Sequence, residues 1–158
     1  MQQKFRVYCS HPISGLSWDE VAMYYNGIKA TLENIGFEVL QPMTGKSELH
    51  KSVAGAEKFE KRGNYDGVAS PHSIFARDKW MVQHSDITYV DLTGAKAVSI
   101  GCMMELAWAA LLGKYVVVVM EDKNLHDHAF VREAASVIFT EEYSALKYMQ
   151  KLFDQEIQ

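Results

Sequence analysis

A doubly wound α/β fold, built on a parallel sheet covered by helices on both faces, is predicted by three observations. Short apolar runs alternate with segments of helical periodicity along the whole chain. The run at 115–120 (YVVVVM) is nearly all valine, as expected of a central strand buried on both faces. Helix start and stop signals bracket the periodic segments, so each run is followed by its own crossover.

The elements follow in order. Residues 5–9 (FRVYC) read as the first strand, followed by a Ser-His-Pro-Ile-Ser-Gly loop. Ser17 and Glu20 form an S-x-x-E capping box, with Leu16 and Val21 placed as a hydrophobic staple. Apolar residues then recur at Val21, Tyr24, Tyr25, Ile28, Leu32 and Ile35, and Gly36 ends the helix. Residues 37–40 are the second strand, stopped by Pro42. The stretch 43–70 is polar, glycine-bearing and weakly periodic; it is read as an insertion or lid, with a possible helix at 51–62. Ser70 and Pro71 open the next helix, which runs to Gln83. A third strand spans 87–92, a helix 101–112 ends at Gly113, and the valine strand follows. A short helix at 130–135, a fifth strand at 137–139 and a C-terminal helix capped by Thr140 complete the chain. Five strands in βαβ succession fit the flavodoxin-like (Rossmann-like) order 2-1-3-4-5, with right-handed crossovers.

The 158 residues suit a single domain, 1–158, and 48% apolar against 23% charged residues is an ordinary globular composition. A net charge of −4 argues against a nucleic-acid polymer as partner, because phosphate backbones favour basic surfaces. It leaves room for a small phosphate ligand, which needs only local donors. The two cysteines, Cys9 and Cys102, match no metal-binding spacing and make no disulfide framework; Cys9 reads as buried filler, and a cytoplasmic location fits. No apolar run, that at 116–120 included, is long enough for a membrane span, and residues 1–4 do not begin a signal peptide.

Open parallel sheets bind ligands beyond the carboxyl ends of their strands, which directs attention to the loops after Cys9, Leu92 and Met120. The first carries Tyr8, Ser10, His11, Ser14 and Gly15. It is neither G-x-G-x-x-G nor a P-loop, so dinucleotide and ATP binding by those motifs are unsupported. A capped strand-to-helix turn accounts for Gly15 and Ser17 equally well. The second leads into Ser99, Gly101 and Glu105, a carboxylate among Met103, Met104, Leu106, Ala107 and Trp108. An acid on so apolar a helix is costly unless it is paired or used. Asp78, beside Arg77 on the preceding helix, is open to either a surface cluster or a second site carboxylate. Two carboxylates flanking strand three are the parts needed for double-displacement glycosyl transfer. His126-Asp127-His128 lacks a third ligand at metal-site spacing and reads as a surface loop. Tyr24, Tyr25, Trp80 and Trp108 read as core.

Arg77-Asp78, the segment from Ser85 to Leu92, Gly101 with Glu105-Leu106-Ala107-Trp108-Ala109, and Gly113-Lys114 before the valine strand together resemble the nucleoside 2-deoxyribosyltransferase superfamily. Tyr8 to Gly15 is similar to its first strand and base-binding loop. The likeness covers about two thirds of the chain and is weakest over 43–70 and the C-terminus. It implies that Glu105 is the nucleophile, that Asp78 contacts the base or sugar and assists proton transfer, and that Tyr8 orients the nucleophile. It also implies no metal and no organic cofactor, a small nucleoside or nucleotide substrate, a role in nucleotide salvage or modified-nucleotide metabolism, and a homodimer or larger homo-oligomer. Members acting on free nucleosides tend to carry an acid six positions before the nucleophile. That position here is Ser99, similar to the branch that hydrolyses nucleoside 5′-monophosphates. An aspartate there would repel a phosphate dianion, whereas a serine at a helix N-terminus would bind one. Ser136 is similar to a phosphate-binding serine of those hydrolases, and Met103 departs from their glycine. A nucleotide-binding sensor without catalysis is the alternative from the same fold.

Overall fold

The computed structural model describes residues 4–44, 46 and 67–154. The elements are β1 (Arg6–Ser10), α1 (Trp18–Ile35), β2 (Glu38–Leu40), a 3-10 turn (Gly67–Ala69), α2 (Pro71–Gln83), β3 (Ile87–Asp91), α3 (Ile100–Leu111), β4 (Tyr115–Val119), α4 (Ala129–Ala134), β5 (Val137–Phe139) and α5 (Glu142–Asp154). The strands form one sheet in the order β2-β1-β3-β4-β5, every neighbouring pair parallel, as the sequence predicts. Most of 43–70, including the expected helix at 51–62, lies outside the described residues.

Strand alternation sorts the core into two layers. Val7, Cys9, Ile87, Tyr89, Val117 and Val119 face α1 and α5, where Val21, Tyr25, Ile28, Leu32, Ala145 and Met149 meet them. Tyr8, Val90, Val116 and Val118 face the other way, against Met81 and Val82 of α2, Leu106 and Ala109 of α3, and Val131 of α4. Both layers are closed over β4, whose Val116 to Val119 are fully buried; an all-valine strand is what two covered faces require.

Local capping chemistry sets the helix ends. Ser17 and Glu20 make both bonds of the capping box, and Gly36 ends α1 with φ 123°, a conformation that side chains rarely adopt. Ser70 caps α2 with Pro71 in its first turn. The C-terminal helix differs from expectation. It begins at Glu142, and Ala145 N–H donates to the Glu141 carbonyl, so Glu141 stands at the cap position rather than Thr140. Trp80 is also not core: it is 53% exposed and stacks on His84 with centroids 4.1 Å apart. Cys9 is buried, as read.

Candidate active site

The site is built where α3 crosses the carboxyl ends of β1 and β3. Tyr8 and Ser10 are two residues apart on β1, so both side chains leave the sheet on the α3 face. Each reaches one oxygen of Glu105. The Tyr8 hydroxyl donates to Oε1 at 2.8 Å, and the Ser10 hydroxyl donates to Oε2 in a very close contact. All three residues are buried. Helix α3 places Glu105 there because its buried stripe, Cys102, Glu105, Leu106 and Ala109, has helical spacing.

Burial raises the Glu105 carboxyl to about 7, and the charge of Asp78 adds to the rise. The Ser10 and Tyr8 hydrogen bonds and the charge of Lys46 pull the other way. The result is a buried carboxylate that ionises near neutral pH, the condition under which a carboxylate can serve as nucleophile or base.

Asp78 is buried on α2, and its Oδ2 accepts from Lys46 Nζ at 3.1 Å. Lys46 is only 3% exposed, and no motif marks it; it lies in the polar stretch that lacks periodicity. Desolvation drives both partners toward their neutral forms: the Asp78 carboxyl is raised despite Lys46, and the Lys46 ammonium is lowered despite Asp78. The second oxygen of Asp78, Oδ1, is buried and has no hydrogen-bond partner among the described residues. An unpartnered buried acceptor of this kind is suited to a donor on a ligand.

A second cluster lies on the opposite face of β3. Asp91 accepts from the Tyr24 hydroxyl at 2.9 Å and from the Thr93 hydroxyl at 2.6 Å. His11 Nδ1 lies 2.9 Å from the Asp91 carbonyl oxygen, and its ring stacks on Tyr24 with centroids 3.8 Å apart. Burial lowers the His11 pKa, with Asp91 opposing. His11 is therefore anchored by the Asp91 carbonyl and the Tyr24 ring.

The remaining expected residues divide. Ser99 is the N-cap of α3, its hydroxyl accepting from Cys102 N–H at 3.3 Å. Gly101 sits in the first turn with open space where a Cβ would be. Ser14 and Gly15 are exposed turn residues, Gly15 at φ 85°. Ser136 is not brought to the cluster. Its hydroxyl accepts from Val116 N–H at 2.9 Å, at the amino end of β4 and so at the far end of the sheet. The histidine loop differs from expectation. His126 is 2% exposed rather than a surface residue, and His128 caps α4 through a 3.1 Å bond from Phe130 N–H.

The fold and site define a parallel α/β domain that holds a buried, doubly hydrogen-bonded glutamate beside a carboxylate–ammonium pair at the carboxyl edge of its sheet. The family model for nucleoside 2-deoxyribosyltransferase matches residues 7–146, and the chain belongs to that family. Membership places it among enzymes that act on the N-glycosidic bond of small nucleosides or nucleotides. Similar solved structures include the CMP N-glycosidase BcmB of Clostridium botulinum, at 15% identity over 93% of this chain and 98% of that one, TM-score 0.56. The 2-deoxyribosyltransferase of Leishmania mexicana matches at 18% identity over 93% and 97%, TM-score 0.59. That of Bacillus psychrosaccharolyticus matches at 14% identity over 89% and 95%, TM-score 0.58. These likenesses concern the fold. No curated protein sequence matches the chain.

Proposed function

We propose that the chain cleaves or transfers at the N-glycosidic bond of a nucleoside or deoxynucleoside 5′-monophosphate, or of a deoxynucleoside, through a covalent glycosyl ester on Glu105. The observation that carries this reading is the Glu105 carboxylate itself, buried, held at both oxygens by Tyr8 and Ser10, and ionising near 7. A glutamate that served only as a structural anchor gains nothing from a carboxylate charge placed so near Asp78.

In the proposed first step the bond from C1′ to the base nitrogen breaks and its electron pair leaves with the base. Glu105 attacks the opposite face of C1′ and forms the ester. Asp78, its carboxyl raised by burial, supplies a proton to the departing base. Lys46 then holds the resulting Asp78 carboxylate through its contact at Oδ2. Water, or a second base, next attacks C1′ and passes its proton to the Asp78 carboxylate, while the C1′–O bond to Glu105 breaks and returns its electron pair to the Glu105 carboxylate. The monophosphate is preferred on this reading because Ser99, an uncharged cap at the N-terminus of α3, favours an anion there. The CMP N-glycosidase likeness fits the same preference.

The assembly proposed is a homo-oligomer. Ile100 and Leu111 of α3 are 73% and 85% exposed, and Met104 lies between them on the same face. Phe75 of α2 extends the patch through its edge contact with Trp108 at 5.0 Å. Contiguous apolar surface of this kind marks an interface.

The test is product analysis. Wild type and Glu105→Gln are incubated with each deoxynucleoside and its 5′-monophosphate, with and without an acceptor base, and the products are separated. Free base from a monophosphate, lost in the variant, supports the N-glycosidase; a new nucleotide formed with acceptor supports transfer. Acid quench and intact mass should reveal a glycosyl adduct on Glu105. Absence of cleavage with every substrate, nucleotide binding being intact, would overturn the reading in favour of a sensor.

A further inference from the structure

The loop between β4 and α4 carries a hydrogen-bond relay that ends on the helix of Glu105. Ser99 N–H donates to His126 Nε2 at 2.8 Å. On the other side of the ring, His126 Nδ1 lies 2.9 Å from Asn124 Oδ1, which also accepts from the His126 backbone N–H at 2.9 Å. The Asn124 amide nitrogen in turn donates to the Leu92 carbonyl and to Glu121 Oε2, both at 2.8 Å. Glu121 Oε1 accepts from Gly94 N–H at 3.2 Å, closing the circuit onto the loop between β3 and α3.

This wiring fixes the state of the ring. A backbone N–H can only donate, so Nε2 must carry a lone pair. The Asn124 amide nitrogen is committed to two acceptors, so its Oδ1 faces His126 and Nδ1 must carry the proton. Only the neutral Nδ1–H tautomer satisfies both contacts. The ring is 2% exposed, so water cannot substitute for either partner at low cost.

We infer that His126 is a positioning residue for the reaction: as a neutral acceptor it clamps the N-cap of α3, and through that helix it sets Glu105 against Tyr8 and Ser10. The inference rests on the proposed role of Glu105. Protonation at Nε2 would turn the acceptor into a second donor facing the Ser99 N–H, breaking the clamp. It would also place a positive charge at the positive end of the α3 dipole. Among the described residues, Glu121 is the charged group that acts on the ring. It favours protonation, while burial opposes it more strongly. Asp127, beside it in sequence, is already committed to Arg132 at 2.6 Å and 2.9 Å.

The test combines a spectroscopic and a kinetic arm on the full chain. Ring ¹⁵N NMR of histidine-labelled protein should show His126 as the Nδ1–H tautomer at neutral pH, titrating below the ordinary histidine midpoint. The Ser99 amide signal should move with that same midpoint. In kcat/KM, Glu105 protonation alone costs about 10-fold per pH unit, and loss of the clamp steepens this to about 100-fold once His126 also titrates. His126→Gln supplies an amide carbonyl that accepts but does not titrate. It is expected to stay within about 3-fold of wild type at neutral pH and to keep the shallower slope throughout, while His126→Leu loses about 10- to 100-fold. An Nε2–H tautomer, a Ser99 amide that ignores the titration, or a Gln variant as steep as wild type overturns the inference. If the chain proves to cleave no glycosidic bond, the NMR arm still decides the tautomer and the clamp, so the two failures are distinguishable.

Discussion

Glu105 is held by two opposed demands, and both are measurable. Burial and Asp78 favour its protonated form, while Tyr8, Ser10 and Lys46 favour the carboxylate. As the proposed nucleophile it acts ionised while Asp78 acts protonated, so kcat/KM should rise with pH through about 7 and fall again where Asp78 loses its proton. Stability runs the other way. The folded protein keeps the Glu105 proton up to about 7, whereas an unfolded glutamate releases it near its ordinary value of 4.5. Between those values stability falls as pH rises, by up to about 3 kcal/mol. Glu105→Gln should therefore lose at least about 10³-fold in turnover, yet its Tm relative to wild type should climb between pH 4.5 and pH 8. A Tm difference that is flat with pH would mean that the carboxyl titrates normally. Lys46 makes a second prediction at this scale. It lowers the Glu105 pKa and balances Asp78. Lys46→Met should shift the acid limb of the rate profile to higher pH and reduce kcat/KM by about 10- to 100-fold; an unmoved limb would remove Lys46 from the site.

Helix α3 is the element on which the substrate question turns, because its N-cap stands six residues before Glu105. Aspartate caps a helix as well as serine does, so Ser99→Asp should leave stability within about 0.5 kcal/mol while adding a negative charge. The expected outcome is a KM for 5′-monophosphates raised about 100-fold, with deoxynucleosides little affected or improved; equal effects on both would remove the phosphate from that end of the helix. Elements of this kind were legible in the sequence where their signals are local. The Ser17–Glu20 box, Gly36, Ser70-Pro71 and the valines of β4 each act within one turn or one strand, and each predicted its element. Glu105 stood out because an acid on an apolar helix contrasts with its neighbours, whereas Tyr8 and Asp78 were marked only by the family resemblance; the structure brings the Tyr8 hydroxyl to Glu105, and the catalytic roles are the proposal. Lys46 was not legible. Its role exists only once β2 delivers the following loop to α2, and nothing in residues 43–46 distinguishes that lysine from a solvated one. His126 was misread for the same reason: a polar Asn-Leu-His-Asp-His string looks solvated until Ser99 and Leu92 close over it. Ser136 rested on a short resembling string alone, and strand direction carries it to the amino edge, away from Glu105 of its own chain.

Among the described residues, the exposed apolar stripe of α3 is a surface that the fold of a single chain does not explain. A monomer that kept Ile100, Met104 and Leu111 in water would expose apolar side chains along one face of the helix that also carries Glu105. Each such residue is worth about 1.5–3 kcal/mol when buried, so a symmetric interface that doubles the patch supplies several kcal/mol before its ordering cost. The proposed homo-oligomer should therefore appear at micromolar concentration as a mass that is a multiple of the 17.9 kDa chain in light scattering or sedimentation. Leu111→Arg puts a charge at the most exposed point of the stripe, where the side chain makes no demand on the monomer core. That variant should run as a folded monomer with an unchanged far-ultraviolet spectrum, and its Tm should become independent of protein concentration while that of the wild type rises with it. A wild-type chain that is already monomeric at high concentration, with Leu111→Arg unaltered in mass, would assign the patch to some other contact and leave each active site to be completed by its own chain.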